Sequence, residues 1–482
     1  MVKTPRTVLF RADASAAMGI GHVMRCLTLA VELNRRGWSC RFVSTLETRE
    51  TVPALRSAPV ELIELLPGQD RDPAALAVLE PPDWLVVDHY GLDRGYERAL
   101  EAWAGHILVL DDLADRAHHC DILLDQTIGC DAGRYAGLVP PWALVLAGAN
   151  DALLRSDFAG AEVTTPRVFD RILVSLGGTD PADATGVALD ALALADLGLP
   201  VTVVMGSVSP HLDSVRRRAA RLSPPAEVLT DVADMASLMA RCGLAVGAAG
   251  TSALERCRMG LPTVVVVIAD NQRQVAAGLE AAGAALVSAL DARALAEQLS
   301  ALAHDPAALG RMAECARALC DGKGVRRLAD FMSLNLRLAD EDDGEDLFNW
   351  RNDPVTRANS LDTAEVVRSE HFAWLARTLA DRERVILIAQ EDGCKLGMVR
   401  FDTCRPREWR VSISVAPHAR GRGLGRPLLA MAIMRLERQW GKGVLTAEIR
   451  AANAASQRIF NACGFTLADE ADGVMYFRRG GL

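Results

Sequence analysis

The sequence predicts an α/β protein in which two doubly wound, parallel-sheet lobes are followed by a smaller α+β domain. Three observations carry that reading. From the start to about residue 330, short apolar runs alternate with alanine- and leucine-rich helical stretches, the rhythm of parallel strands covered by helices on both faces. Glycine-rich turns follow several of those runs, at the carboxyl ends where such sheets receive ligands. Near 320–340 the rhythm breaks at CDGKG, and the remainder is a set of longer strands around one long helical run, GLGRPLLAMAIMRLERQW.

The strand candidates of the first part are, in order, RTVLF, CRFV, WLVVD, HILVL, DILL, RILVSL, VTVVM, LAVG and TVVVVI. They are too many for one ordinary doubly wound sheet, and the polar segment NDALLRSDFAGAEVTTPR divides them near 150–168. Two Rossmann-like lobes, at 1–155 and 156–330, are therefore expected on either side of a cleft. In the tail, LNLRLA, VILIAQ, KLGMVRFD, WRVSISV and LTAEIR read as successive strands of a third domain at 335–482. The 482 residues exceed what one hydrophobic core organises, in keeping with several folding units.

Bulk properties narrow the function. A net charge of -9 argues against a general nucleic-acid partner. The apolar runs VVVVIA and ILVL are far too short to span a bilayer, and the opening MVKTPRTVLF lacks the pattern of a secretion signal. The eleven cysteines stand singly with no CxxC pair. Cys120 follows two histidines, but no second ligand cluster stands at zinc-like spacing, so no metal is expected. Reduced thiols, a cytoplasmic location, and neither membrane nor nucleic acid as partner follow as expectations.

Two groups of turns carry the chemistry of the first part. Arg11-Ala-Asp13-Ala-Ser15 leads through Gly19-Ile-Gly21-His22 to Arg25, between the strand TVLF and the amphipathic CLTLAVELNRRG. Glycines there let a substrate approach the backbone, and the helix start offers N–H groups. His22 is placed to serve as a general base near neutral pH, or else to cap the helix or pack in the core. In the second lobe, Ser175-Leu-Gly177-Gly178-Thr179-Asp180 follows RILV, and Gly247-Ala-Ala-Gly250-Thr251-Ser252-Ala-Leu-Glu255-Arg256 follows LAV. A small-residue turn that opens a helix with hydroxyls suits a diphosphate, and it also suits an ordinary capped αβ turn. Glu255 lies one turn into that helix, where it can accept from ribose hydroxyls, and Asn271 and Gln272 form a polar cluster after VVVVI.

Together, RADAS, GIGHVMRCLTLA, VVDHYGLD, LVLDDLADRAHHCDILLDQ, SLGGTDP, MGSVSPH, GAAGTSALERCRMGLP and ADNQ resemble, in order through roughly residues 5–285, the UDP-sugar hydrolase family of pseudaminic acid biosynthesis. Those enzymes are relatives of two-lobed GT-B glycosyltransferases, so the resemblance implies a GT-B-like pair of lobes. It implies cleavage of UDP-2,4-diacetamido-2,4,6-trideoxy-β-L-altropyranose to UDP and free sugar, with inversion. His22 then matches the base that activates water. Tyr90 and Asn271 match polar residues near the sugar, and Gly250, Thr251, Ser252 and Glu255 match the nucleotide turn. Gly19, Gly21, Arg25, Gly177 and Gln272 complete the expected substrate contacts. UDP is already a good leaving group, so one base without a paired acid suffices, unlike a glycosidase. Asp111 and Asp112 are candidates for a supporting role or for capping and packing.

In the tail, the strand VSISVAP is followed by Arg420-Gly421-Arg422-Gly423-Leu424-Gly425 and a long helix. Glycines in such a loop turn backbone N–H groups toward a pyrophosphate, and the helix start adds to the attraction. Asn453, Ser456, Gly464 and Phe465 follow at a matching distance. These features resemble the GNAT acetyltransferases, which implies acetyl-CoA as co-substrate held by Val415, Arg420, Gly421, Arg422, Gly423, Gly425, Asn453 and Ser456. Phe460 stands where that family commonly has a tyrosine that protonates the leaving thiolate. Phenylalanine cannot donate, which leaves water or another group such as Tyr476. The opening LFNWRNDP and the EHFAW segment resemble the N-acetyltransferase of the same pathway, which implies that Arg351 and His371 contact the nucleotide. Glu448 is the candidate base for the 4-amino group of the acceptor, or an exposed strand carboxylate.

The two resemblances together imply a bifunctional enzyme in which acetylation yields the substrate that hydrolysis consumes, with UDP-sugar and acetyl-CoA as its small-molecule partners. Other readings remain: the same chemistries on another nonulosonic-acid precursor, or a GT-B glycosyltransferase with a non-catalytic GNAT binding module.

Overall fold

The apolar runs of the first part become three- to six-residue strands because they are β-branched and flanked by turn residues, and their burial on both faces suits a parallel sheet. A computed structural model describes residues 5–15, 18–163 and 168–480. The first sheet holds β1 (Thr7–Ala12), β2 (Ser39–Ser44), β3 (Glu61–Glu64), β4 (Trp84–Asp88), β5 (His106–Leu110), β6 (Ile122–Asp125) and β7 (Leu144–Ala147). Its order is β3-β2-β1-β4-β5-β6-β7, with β1 parallel to both β2 and β4. The chain therefore reverses its direction of travel between β1 and β4, and a crevice opens at their carboxyl ends.

The second sheet holds β8 (Ile172–Ser175), β9 (Val201–Met205), β10 (Glu227–Thr230), β11 (Leu244–Ala248), β12 (Thr263–Val266) and β13 (Leu286–Ser288), in the order β10-β9-β8-β11-β12-β13. All its pairings are parallel. Its switch lies between β8 and β11, at the turns that begin Gly177 and Gly250. Two apolar clusters flank this sheet. One gathers Leu173, Ala245 and Val265, and the other Ile172, Val174, Val246 and Val264, so neighbouring residues of each strand feed opposite faces.

The third sheet holds β14 (Asn335–Leu338), β15 (Arg384–Glu391), β16 (Cys394–Arg405), β17 (Glu408–Val415), β18 (Val444–Arg450), β19 (Thr466–Ala471) and β20 (Val474–Arg479). The order is β14-β15-β16-β17-β18-β20-β19, antiparallel except where β17 meets β18. The helix Gly425–Trp440 covers it with Leu428, Leu429, Ala432, Ile433 and Leu436, spaced at the helical period.

By residue contacts the chain divides into two compact units. One comprises the described residues up to Ala117 with Leu123–Ala136 and Val145–Arg326; the other comprises His118–Ile122, Gly137–Leu144 and Arg327–Leu482. The two parallel sheets thus belong to one unit. No described helix is long and apolar enough to cross a membrane.

The helix Gly324–Ser333 starts where a Cβ on Gly324 would lie 2.3 Å from the Ala152 carbonyl and 2.4 Å from the Asp151 carbonyl carbon. Backbone on that side cannot swing away as a side chain would. Gly324→Ala is expected to cost about 1–3 kcal/mol, read as a lower midpoint in chemical denaturation with an unchanged slope.

Candidate active sites

The first site forms at the switch between β1 and β4. The helix Gly21–Arg35 starts beside it and carries His22 and Arg25 one turn apart, on the same face. Asp88, the last residue of β4, is fully buried between them. His22 Nδ1 lies 2.5 Å from Asp88 Oδ1. Arg25 donates to both oxygens of the same carboxylate, from Nε at 2.6 Å and from an Nη at 2.7 Å. Burial opposes ionisation of Asp88, but Arg25 and then His22 outweigh it and hold the carboxyl well below the usual range. The same carboxylate raises Arg25 against the effect of burial. An ionised Asp88 can only accept, so the contact favours the His22 tautomer that carries its proton on Nδ1, and His22 lines the neighbouring cavity.

That cavity, about 230 Å3, is lined from the first lobe by Gly21, His22, Arg25, Tyr90, Asp112, Gln126 and Thr127, and from the second by Gly250, Thr251, Asn271 and Gln272. A methyl on Gly21 would lie 3.6 Å from Thr251 Oγ1, a measure of how closely the lobes approach. The Tyr90 ring meets His22 edge-on, with centroids 4.3 Å apart. Burial and then Asp112 push the Tyr90 hydroxyl up to about 12, so it remains a donor. Asp112 accepts from Arg25 at 3.2 Å, and its buried Oδ1 finds no partner among the described residues. Gln272 accepts from the Ile268 N–H at 3.2 Å, which fixes the amide at the mouth of the Gly250 turn.

Several expected contacts fall elsewhere. Gly19 shapes the loop, its N–H bonded to the Ser15 carbonyl at 2.8 Å, and does not line the cavity. Gly177 lies in the turn after β8, outside the lining as well. Ser252 accepts from the buried Arg256 at 3.1 Å, and Arg256 also donates to the Ala248 carbonyl at 2.5 Å. Burial lowers Arg256 to about 10. Ser252 therefore helps brace the turn from behind, and Gly247 leaves the room, because a Cβ there would sit 2.6 Å from that guanidinium. Glu255 faces Arg155 at 3.6 Å, with its pKa raised by burial, and is not among the lining groups. Asp111 receives Tyr135 Oη and the Ala114 N–H, at 3.0 and 2.8 Å, and so holds a loop together.

Asp88, Gln126 and Thr127 were not anticipated. Asp88 carried a usable signal, since WLVVD ends in a carboxylate at the edge where a doubly wound sheet places its ligands. Gln126 follows the strand DILLD in the same way, although nothing in the sequence pairs it with the second lobe.

The second site opens where β17 and β18 part. Their parallel pairing runs only from Glu408↔Val444 to Arg410↔Thr446. Beyond it both strands continue unpaired with each other, and two adjoining cavities occupy the gap. The larger, about 610 Å3, is lined by Val415, Arg420, Gly421, Gly423, Gly425, Asn453 and Ser456 among others. Gly421 and Gly423 adopt φ of +77° and +80°, a region that favours glycine. Gly425 opens the helix under Ile459, whose Cδ1 would lie 2.3 Å from a Cβ. Arg420 is held by Asp353 and the Thr356 hydroxyl, both at 2.6 Å. Arg422 turns to Glu391 at 2.7 Å and does not line the cavity. The side chain of Asn453 caps the helix Ala454–Ala462 by accepting from the Ser456 N–H at 3.1 Å.

The smaller cavity, about 350 Å3, includes Arg351, Arg400, Ser412, Ser414, Glu448, Ser456 and Phe460 in its lining. Arg351 donates to the Asp362 carbonyl at 3.1 Å, and its buried Nη1 finds no partner among the described residues. Arg410 reaches Glu448 at 3.5 Å. His371 is not there. It is buried among Phe348, Phe372 and Trp374, with centroids 5.5–5.6 Å away, and burial lowers its pKa. An imidazole so enclosed packs the core and does not reach a nucleotide. Tyr476 sits opposite Glu448 on β20 and lines neither cavity.

Comparisons with known proteins follow this division. Residues 172–330 match the glycosyltransferase family 28 C-terminal domain, and residues 333–466 match the GNAT acetyltransferase domain. The UDP-2,4-diacetamido-2,4,6-trideoxy-beta-L-altropyranose hydrolase of Campylobacter jejuni is 27% identical over 234 residues, 48% of this chain and 81% of that protein. The L-methionine sulfoximine/L-methionine sulfone acetyltransferase of Salmonella typhimurium is 30% identical over 146 residues, 28% of this chain and 81% of that protein. The crystal structure of MurG from Acinetobacter baumannii superposes with a TM-score of 0.50 at 16% identity, covering 68% of this chain and 99% of that one, a likeness of fold. The chain joins a GT-B-like, hydrolase-like pair of lobes to an acetyltransferase domain, and through that domain it belongs to the GNAT family.

Proposed function

We propose that the chain is a bifunctional enzyme of pseudaminic acid biosynthesis. Its GNAT domain transfers acetyl from acetyl-CoA to the 4-amino group of UDP-4-amino-4,6-dideoxy-N-acetyl-β-L-altrosamine. Its two-lobed part then hydrolyses UDP-2,4-diacetamido-2,4,6-trideoxy-β-L-altropyranose to UDP and the free sugar, with inversion. The observation that carries the reading is the His22–Asp88–Arg25 array beside a cavity bounded by the Gly250–Thr251 turn.

In the hydrolytic half, Asp88 fixes the tautomer of His22, and Nε2 takes a proton from water as the oxygen attacks the anomeric carbon. The C–O bond to UDP breaks on the opposite face, which inverts the configuration. Tyr90, Asn271 and Gln272 orient the sugar, and backbone N–H groups of the 250–252 turn meet the charge that develops on the diphosphate. In the acetyl-transfer half, the glycine loop from Arg420 to Gly425 holds the cofactor pyrophosphate. Arg351 meets the acceptor's nucleotide, and Glu448 takes the proton of the amine, directly or through water, as nitrogen attacks the thioester.

The test is incubation of the full chain with the UDP-4-amino sugar, with and without acetyl-CoA, followed by mass and NMR analysis. UDP and free diacetamido sugar should appear only when acetyl-CoA is present. Transfer of the sugar to an added acceptor in place of water would replace hydrolysis with glycosyl transfer.

His22→Ala should abolish UDP release and leave acetylation intact. Asp88→Asn should lower kcat for UDP release by roughly a hundredfold or more, because the amide no longer enforces the tautomer. Gly423→Val should block acetyl-CoA use while hydrolysis of pre-acetylated substrate continues. The Asp88 carboxyl is held below its unfolded value of about 4, so the stability it contributes is complete above that pH and fades as the pH falls through it. Denaturation midpoints should therefore fall more steeply with acid below about pH 4 in the wild type than in Asp88→Asn.

A further inference from the structure

A water that attacks a sugar carbon has two O–H bonds, and a single base takes the proton of only one. Inside a cavity the second O–H also needs an acceptor. Among the described residues that line the cavity of the two-lobed unit, Asp112 is the one carboxylate. It follows β5, which pairs with β4, so the sheet delivers it beside Asp88 and Tyr90. Its neighbour Asp111 is tied to Tyr135 Oη and to Arg116, both at 3.0 Å, and is not in the lining. Asp112 has a single hydrogen-bond partner among the described residues, Arg25 Nη1 at 3.2 Å, and its side chain is 27% exposed. A carboxylate offers about four acceptor positions, so most of its capacity is unused.

Two bearings place that carboxylate near the base. One guanidinium touches both: Arg25 Nη2 lies 3.2 Å from His22 Nδ1, and its Nη1 lies 3.2 Å from Asp112. Tyr90 supplies the second. Its ring meets His22 edge-on, and its hydroxyl is pushed up to about 12 by burial and then by the charge of Asp112. Imidazole, phenol and carboxylate therefore bound one corner of the cavity. A fixed negative charge opposes the binding of a diphosphate, which leaves the reacting end of a UDP-sugar as the place where this one is of use.

We propose that Asp112 is a catalytic residue of the hydrolytic half, accepting the second O–H of the attacking water and thereby selecting water over an alcohol as nucleophile. The inference rests on the hydrolytic reading of this cavity. As the water oxygen bonds to the anomeric carbon, one of its protons passes to His22. The C–O bond to UDP breaks and its electron pair stays on the diphosphate oxygen. The other O–H remains intact in the product hydroxyl, hydrogen-bonded to Asp112 throughout, and His22 returns its proton to solvent. An alcohol has only one O–H, which the base needs. Its carbon would face Asp112 instead, and the carboxylate would lose a hydrogen bond that water provides.

The test uses the full chain, the diacetamido UDP-sugar and methanol as a competing nucleophile, with products separated by mass and NMR. The ratio of methyl glycoside to free sugar is set within each turnover, so a partly unfolded preparation reports the same ratio as an intact one. Asp112→Ala should lower kcat for UDP release roughly tenfold to a hundredfold, the loss of one hydrogen bond to a charged group, with KM little changed. Its methyl glycoside share relative to free sugar should rise about tenfold over the wild type. Asp112→Asn keeps a neutral acceptor and should fall between the two, a gradation that a merely structural role would not produce. A lowered kcat with an unchanged ratio would place Asp112 on the sugar and overturn the proposal, as would a defect confined to KM. A ratio moved by Thr127→Val and not by Asp112→Ala would overturn it as well. Absence of UDP release by the wild type would overturn the hydrolytic reading itself, whereas release with an unmoved ratio overturns only the role of Asp112.

Discussion

One buried carboxylate organises the cleft of the two-lobed unit. Asp88 ends β4 with no exposure to solvent, and an isolated charge there would be prohibitively costly. It is tolerated because Arg25 forks onto both its oxygens and His22 contributes a third contact. All three groups sit where they do because β1 and β4 are neighbours and the helix after β1 starts at their carboxyl edge. The sheet order thus places the charge, the charge recruits the guanidinium, and the pair fixes an imidazole that lines the cavity with its Nδ1 held. Arg25 also ties in Asp112, so the array reaches into the cavity lining.

The second lobe meets a similar problem with the opposite charge. Arg256 is buried behind the Gly247–Ser252 turn and is lowered to about 10 by that burial. It bonds to the Ala248 carbonyl and the Ser252 hydroxyl. A glycine at 247 is the steric condition for this brace. The acetyltransferase domain supports its glycine loop differently: Arg420 is anchored by Asp353 and Thr356, and Gly425 gives way to Ile459. In both, side-chain contacts brace the turn, a preorganisation that suits anion binding.

The strands that were legible in the sequence are the central ones, where continuous apolar runs such as WLVVD and TVVVVI reflect burial on both faces. The strands that escaped notice include β3, β7, β10 and β13, each three or four residues long, and the six-residue, wholly exposed β19, all of them edge strands. Half-exposed sequences such as ELIE and EVLT carry too little pattern to stand out from loops. The same limit applies to the sites. Residues on turns after central strands, such as His22, Gly250 and Asn271, were visible because glycine and polar clusters mark those turns. Asp88 belongs to its own strand's apolar run, and its partner His22 is 66 positions away, a pairing only the sheet order creates. His371 misled for the converse reason: a histidine among aromatics reads equally as a ligand contact and as core, and the packing of Phe348, Phe372 and Trp374 makes it core.

The order of the two proposed reactions follows from what each site would hold. An acetyltransferase cavity with Arg351 bearing an unpartnered buried N–H among the described residues calls for an anionic handle on its acceptor. A UDP-sugar has that handle, and the free sugar does not. Hydrolysis discards it, so an amine left unacetylated when UDP departs would have lost the means of being recognised. On the proposed reading acetylation precedes cleavage, and linking the two activities in one chain would raise the local concentration of intermediate without requiring a channel. Hydrolysis is then the step that commits the sugar, which gives the hydrolytic half reason to discriminate between a 4-ammonium and a neutral amide. The lining of its cavity includes the cationic Arg25, already bound to Asp88, and Asp112, one oxygen of which has no partner among the described residues.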